Sequence, residues 1–385
     1  MDSISEKSLK ARFVYLDNIR SLVIILVIVV HTAVTYSGIG GWYYREISPE
    51  NLSALEMTFF GFLISFIQAW SMGLLFFISA FLATKSLNKR GTFFFIKERL
   101  FRLGLPLLIF LFIIYPFLWF FLLGNNPENT FSENYIRYII DFLWIDIDGY
   151  ASGPLWFVKT LLFFCVIYAI VKKCISKPKK IDSINVIMII LTIVFIGIIA
   201  FFVRLIFPIG TSYFNLQLCF FTSYIVLFIA GIIIGENNLL EKLTDKKNIK
   251  WLTLTFIIGI PLWAFIMIFG GGIEGKTYYN GGLNWQSFLY ALWESFTAVG
   301  FSIGIISLFK EKVNIDNKFT QIMRDNAFGI YVFHSPILIA ISLVFRYLYL
   351  SPILKFAIIA IITFFVCLLF SFFIRKIKPI GLLFK

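Results

Sequence analysis

The sequence predicts an all-α polytopic membrane protein of about ten transmembrane helices, with both termini cytoplasmic. Three observations predict it. The 385 residues are 59% hydrophobic and 14% charged, with mean hydropathy +0.89, whereas a soluble domain is nearer half apolar and ~25% charged. Apolar runs of ~20 residues recur from end to end, each long enough to cross a bilayer core as a helix. The 34 Lys and Arg sort by side: with the N-terminus inside, every cytoplasmic segment carries more of them than either outer neighbour, as the positive-inside rule requires.

Spans are expected at 16–36, 57–84, 105–123, 154–171, 183–203, 215–235, 251–270, 285–308, 326–349 and 353–374. The first follows a short tail without a small-residue cleavage site and reads as a retained signal-anchor. The second ends in FFISAFLATKS, and the third begins after Gly104 and Pro106. Between them runs a basic stretch in which Phe93, Phe94, Phe95, Ile96, Leu100 and Phe101 would lie in the headgroup layer, making a basic amphipathic helix on the cytoplasmic surface. The fourth opens with GPLWFVKT. The fifth is almost wholly apolar, and the sixth carries Gly231-x-x-x-Gly235, a motif for close helix packing. The eighth contains Glu294 in ALWES, and the ninth contains His334 in YVFHSP. The tenth and seventh carry no comparable motif. Residues 1–385 form a single transmembrane domain, with short cytoplasmic tails at 1–15 and 375–385.

The net charge of +13 does not indicate nucleic acid, because the basic residues are concentrated in segments on one side of the membrane. Membrane lipids, through their anionic headgroups, are the expected partner, together with a cytoplasmic anion. The four cysteines lie in or beside spans without a CxxC pair, so neither structural disulfides nor a metal site is expected. The outer segments 38–56, 125–153 and 270–284 are rich in Trp and Tyr with Asn, Asp and Glu. That composition suits a carbohydrate-facing surface, and equally an interfacial aromatic belt.

Ionisable groups inside spans point to function. Arg20 and His31 stand eleven residues apart, which places them on one helical face, ~16.5 Å apart along the axis. Arg20 lies about a turn from the cytoplasmic end, with Asp17 positioned to pair with it. His31 lies in the outer half, ~8 Å below the helix end. Buried ionisable groups usually face a protein interior or wet cavity, although an arginine near the inner end also snorkels to headgroups and a histidine also serves interhelical hydrogen bonding. Together on one face they fit a long ligand, anionic at its inner end and reactive at its outer end. Arg99 and Arg102, three apart on a helical face, would grip a polyphosphate. Glu294, ~14 Å from its span's outer end, would orient a histidine, relay a proton, or pair with Lys159. His334 lies near mid-membrane beside Pro336, and Lys159 lies one turn below Trp156 at the outer end of span four.

These residues carry a resemblance. LDNIRSLVIILVIVVHTAVTYSG with Arg20-x10-His31, FFISAFLATKS leading to Arg99-x-x-Arg102, GPLWFVKTLLFF and AFGIYVFHSP resemble, in order and over nearly the whole chain, the acyltransferase family 3 integral membrane proteins. That group contains surface-polysaccharide O-acetyltransferases and glucan succinyltransferases, and HTAVTYSG looks most like the latter branch. The resemblance implies transfer of an acyl group, acetyl or succinyl, from cytoplasmic acyl-CoA (acetyl-CoA or succinyl-CoA) to a hydroxyl of an extracytoplasmic glycan at the plasma (inner) membrane. It implies His31 and Arg20 as the essential first-span pair and Arg99 with Arg102 as the cytoplasmic RxxR, so that His31 would be the catalytic base and the three arginines would hold the acyl-CoA phosphates. By their own positions in the spans, Glu294 would complete the catalytic site beside His31, and Trp156, Lys159 and His334 would lie at the substrate. The family's second span usually ends in Ser-Gly-aromatic; here Ser79-Ala80-Phe81 stands in its place, which puts close packing at that point in question. Relatives often carry an added extracytoplasmic esterase-like domain, whose role would fall here to a separate partner. Oligomeric state is open, a homo-oligomer included. The alternative is a transporter or flippase of a sugar or lipid-linked sugar, which would also need buried charge. Such a protein need not align an RxxR with a histidine above it, and often shows inverted repeats, of which this sequence has none convincing.

Overall fold

A computed structural model describes residues 13–124, 133, 135–136, 152–174, 180–378, 381 and 383. Most of the outer segment 125–153 and the tail 1–12 therefore lie outside the described residues. Ten helices are long and apolar enough to cross a membrane. They are α1 Val14–Ser37, α2 Ala54–Arg90, α3 Thr92–Leu122, α4 Gly153–Cys174, α5 Val186–Ile206, α6 Leu218–Glu236, α7 Lys246–Phe269, α8 Trp285–Lys312, α9 Lys318–Val344 and α10 Pro352–Ile374. The chain is an all-α, multi-pass membrane protein.

Helix ends alternate between two faces, and polar contacts between connections identify each face. On the face where α1 begins and α10 ends, here the terminal face, the Asn18 amide donates to the carbonyls of Val313 (2.8 Å) and Ile315 (3.1 Å) between α8 and α9. On the same face Lys172 of α4 reaches Asn88 of α2 and Glu236 of α6. On the opposite face the Ile209 N–H, between α5 and α6, donates to the Asn280 carbonyl between α7 and α8 (2.8 Å). Lys355 at the start of α10 there pairs with Glu46 of the α1–α2 connection. Helix α8 is the most enclosed, with 78% of its central window buried, and α10 the least, with 22%. The site is built from α1, α2, α4 and α9, with α5, α7 and α10, the least enclosed helices, outside it.

The largest boundary differences from the sequence expectation are at α3 and α9. The amphipathic segment and span three are one helix, α3, starting at Thr92 immediately after Gly91, whose φ of 77° ends α2. Wide π-type turns at Leu100–Gly104, Phe110–Ile114 and Phe117–Leu122 carry it past Pro106 and Pro116. Each proline deprives the carbonyl four residues earlier of its partner, and the Phe112 carbonyl freed this way accepts from the Tyr135 hydroxyl at 2.9 Å. Helix α9 starts at Lys318, fixed by a reciprocal cap between Asn317 and Thr320 and ends at Val344, short of the expected position 349.

Helices α2 and α6 pack closely, and the glycine motif makes that approach possible. A methyl added at Gly231 would lie 2.3 Å from the Phe77 carbonyl oxygen and 2.8 Å from the Ala80 Cβ, and one at Gly235 would lie 2.2 Å from Thr84 Oγ1. Close packing at Ala80, put in question by the sequence, is thus made possible by Gly231 on the other helix. Gly231→Val should separate the two helices, costing about 1–3 kcal/mol by overpacking. A lowered unfolding temperature in detergent would register it, and an unchanged one would show that the contact is not tight.

Candidate active site

Two histidines from distant helices meet. Alpha-helical spacing puts Arg20, Ile24, Val27 and His31 along one side of α1, and His31 is the member that touches α9. Its Nδ1 lies 2.8 Å from His334 Nε2, with the two rings nearly parallel at 5°. His334 Nδ1 is 2.6 Å from the Tyr331 carbonyl one turn back in α9. Pro336 leaves the Val332 carbonyl without its helical donor in the same turn. The Tyr331 hydroxyl donates to the Pro154 carbonyl and so fixes the start of α4 beside the pair.

The α1–α2 connection supplies a third ring. Gly38 closes α1 in the left-handed region (φ 66°), and a Cβ there would lie 2.5 Å from the Ile47 carbonyl oxygen. Only glycine permits this tight reversal. The chain then turns back and lays the Trp42 indole face-to-face on His31, centroids 3.9 Å apart at 11°. The Glu46 N–H donates to the Thr35 carbonyl (2.9 Å), and Lys355, almost fully buried, holds the Glu46 carboxylate. Trp42 was not singled out in the sequence because its loop reads as one of several aromatic outer segments.

Below the histidines is a cavity of ≈ 50 Å³, roomy enough for a few water molecules. His31, Leu26, Val27, Gln68, Ser71 and Trp156 contribute to its wall. Gln68 donates to the Tyr224 hydroxyl at 2.7 Å, and Trp156 stacks on the Tyr224 ring. A hydroxyl-bearing group and an apolar acyl chain both suit such a lining. The cavity does not reach Arg20. It stops at Leu26 and Val27, because Ile24 packs beside Ile28 and Met323 while Val23 and Ile19 are wholly buried.

The arginines occupy the other depth. Arg20 is half exposed on the terminal face, 3.3 Å from Asp17 as its spacing suggested. Arg99 turns inward over the Phe95 ring (5.1 Å), with its Nε buried and unpartnered. Arg102 is exposed and lies 3.7 Å from Glu98, which also binds Arg90 at 3.0 Å. These three cations therefore share a face, and the histidines lie deeper toward the other one.

Three residues are placed differently from the sequence expectation. Glu294 neither touches His31 nor pairs with Lys159; its carboxylate is bound by Arg204 at 2.5 Å. Arg204 is wholly buried between the Phe220 and Tyr290 rings. The sequence reading ended span five at position 203 and left Arg204 outside, whereas the apolar Leu205 and Ile206 carry the helix beyond it. Lys159 donates to the Phe214 carbonyl (2.6 Å) and holds the α5–α6 connection. His334 has both ring nitrogens engaged, so no polar atom is left for a substrate, and it contacts His31 instead.

Chemically, a paired imidazole beside a small, partly polar cavity is equipped to take and return a proton. Among the described residues no three His, Cys, Asp or Glu side chains converge as a metal site would need. No curated protein and no solved structure matches the chain. The model of the acyltransferase domain Acyl_transf_3 matches residues 13–372, from the start of α1 to within two residues of the end of α10. With that match spanning all ten helices, the chain belongs to acyltransferase family 3, and it is a membrane-embedded acyltransferase.

Proposed function

We propose that the enzyme moves an acetyl or succinyl group from cytoplasmic acyl-CoA to a hydroxyl of an extracytoplasmic glycan, at the plasma (inner) membrane. The observation that carries this reading is the position of His31: an imidazole at the cavity, on the same helix as Arg20 but at the opposite depth. The Lys/Arg distribution assigns the terminal face to the cytoplasm, which puts Arg20, Arg99 and Arg102 where the donor's phosphates arrive. The donor's pantetheine arm is comparable in length to the ~16.5 Å rise between Arg20 and His31. It reaches the cavity once the side chains around Ile24 and Val27 part. Trp156 and Ser71 then flank the acyl chain and the incoming hydroxyl.

His31 takes the proton of the acceptor hydroxyl as its oxygen attacks the thioester carbonyl. The C–O bond forms, the C–S bond breaks, and the departing thiolate recovers the proton from the imidazolium. Among the described residues no serine hydroxyl or cysteine thiol is hydrogen-bonded to either imidazole ring, which favours direct transfer over an acyl-enzyme. Trp42, stacked on His31, stabilises the imidazolium through its π face.

Purified protein in liposomes, incubated with acyl-labelled acyl-CoA and an acceptor glycan, should move the label onto the glycan. A transporter or flippase would leave the thioester intact, and that outcome would overturn the proposal. Arg99→Ala with Arg102→Ala should weaken CoA binding about 10–100-fold, the loss of one or two charge-assisted bonds. An unchanged affinity would return both residues to anchoring the helix at the headgroups.

A further inference from the structure

We infer that His334 is the positioning residue of the transfer, holding His31 in the one tautomer whose Nε2 is free to act as base. This rests on the proposed acyltransfer, and it adds a residue and a proton arrangement to it. The Tyr331 carbonyl only accepts hydrogen bonds, so His334 Nδ1, 2.6 Å away, carries the hydrogen. A neutral ring has one N–H, so His334 Nε2 is a lone pair. His31 Nδ1 lies 2.8 Å from that lone pair and must itself carry a hydrogen. His31 Nε2 is then bare. Two neutral rings and one backbone carbonyl leave no other assignment.

The near-parallel rings, 5° apart, are what an in-plane N–H···N bond needs. No other side chain competes for the arrangement: Glu294 is bound by Arg204, and no carboxylate is bonded to either ring among the described residues. In other general-base sites a carboxylate commonly orients the histidine. Here a second imidazole does so without bringing negative charge into the membrane interior, where an ion is expensive. When His31 accepts the hydroxyl proton at Nε2, its Nδ1–H donates to His334 from a cation, and the bond shortens and strengthens. His334 thus acts through His31 and touches no reacting atom.

The sequence contains two histidines, so protein labelled with ring-¹⁵N histidine and reconstituted in liposomes gives a nitrogen spectrum with two rings in it. Solid-state NMR should find both rings protonated at Nδ1 and bare at Nε2, with a coupling across the hydrogen bond. An Nε2–H on either ring, or a doubly protonated ring, would overturn the inference. Kinetics supply the second arm. His334→Ala should lower kcat about 100–1,000-fold, with KM for acyl-CoA within about twofold, the size of effect expected from a misoriented general base. His334→Gln places an amide oxygen near the former Nε2, accepts the His31 N–H and should recover kcat to within about tenfold of the parent. Equal kcat for folded Ala and Gln variants, or a change confined to KM, would sink the positioning role. If the Ala variant does not fold, Gln against the parent and the spectrum decide. A parent without transfer activity overturns the proposed function, while the tautomer reading stands or falls on its own.

Discussion

His31→Ala is expected to lower transfer about 1,000-fold or more, with a CoA analogue still bound at close to parental affinity. A positioned general base is worth ~10²–10⁴ in rate, and no other side chain at the cavity offers a comparable lone pair. In the proposed mode the donor's phosphates would engage the terminal face, ~16.5 Å away along α1, so the substitution should leave that contact intact. Truncation also removes the partner of the Trp42 ring and leaves His334 Nε2 without a donor, a loss of about 1–3 kcal/mol in stability. His31→Gln controls for it by keeping bulk and a hydrogen-bonding amide. Both variants should be inactive in label transfer from acyl-CoA. Substantial turnover by either would remove the base from the mechanism.

The largest stability effect is expected at Glu294. Arg204 is wholly buried and has this carboxylate as its ion-pair partner; its Nε and Nη1 have no hydrogen-bond partner. Glu294→Ala would strand a buried guanidinium, a change that typically costs about 3–5 kcal/mol. The unfolding midpoint in detergent should fall sharply, and α5, which leans on α8 at this point, should detach first. Arg204→Met combined with Glu294→Leu should recover most of the loss, because replacing both members of a buried pair by apolar groups is often neutral or better. Glu294→Gln separates packing from chemistry. It keeps a hydrogen bond to Arg204, so the folded variant should retain turnover. Full folding with abolished turnover would give Glu294 the catalytic role its sequence context suggested.

The spans were legible because apolar run length and the side preference of Lys and Arg are written locally along the chain. Arg20 with Asp17, and His31 above them, were legible for the same reason, since helical periodicity fixes neighbours three, four and eleven residues apart. The pairings that assemble the site were not. His31 and His334 are 303 positions apart, and Arg204 and Glu294 are 90 apart. Local pattern gives the face of each helix but not which helix packs against it. Two small signals pointed part of the way. Arg204 is followed by three more apolar residues before Pro208, and the helix runs two of them past it. Ala80 stands opposite Gly231, a close approach that only the packed pair of helices displays. The amphipathic helix was expected apart from span three because Gly104 and Pro106 normally break a helix, whereas here wide turns carry α3 through them and Phe95, expected in the headgroup layer, is buried against the bundle.

The stretch of α1 between Leu26 and Arg20 is filled by Ile24, Val23 and Ile19, the last two with no exposed surface. An open bore through this region would leak protons and ions and dissipate the gradients across the membrane. In the proposed transfer this plug would keep the idle enzyme electrically tight, with passage existing only while the donor's own arm occupies it. Catalysis across the barrier would then not require the barrier to be breached by water.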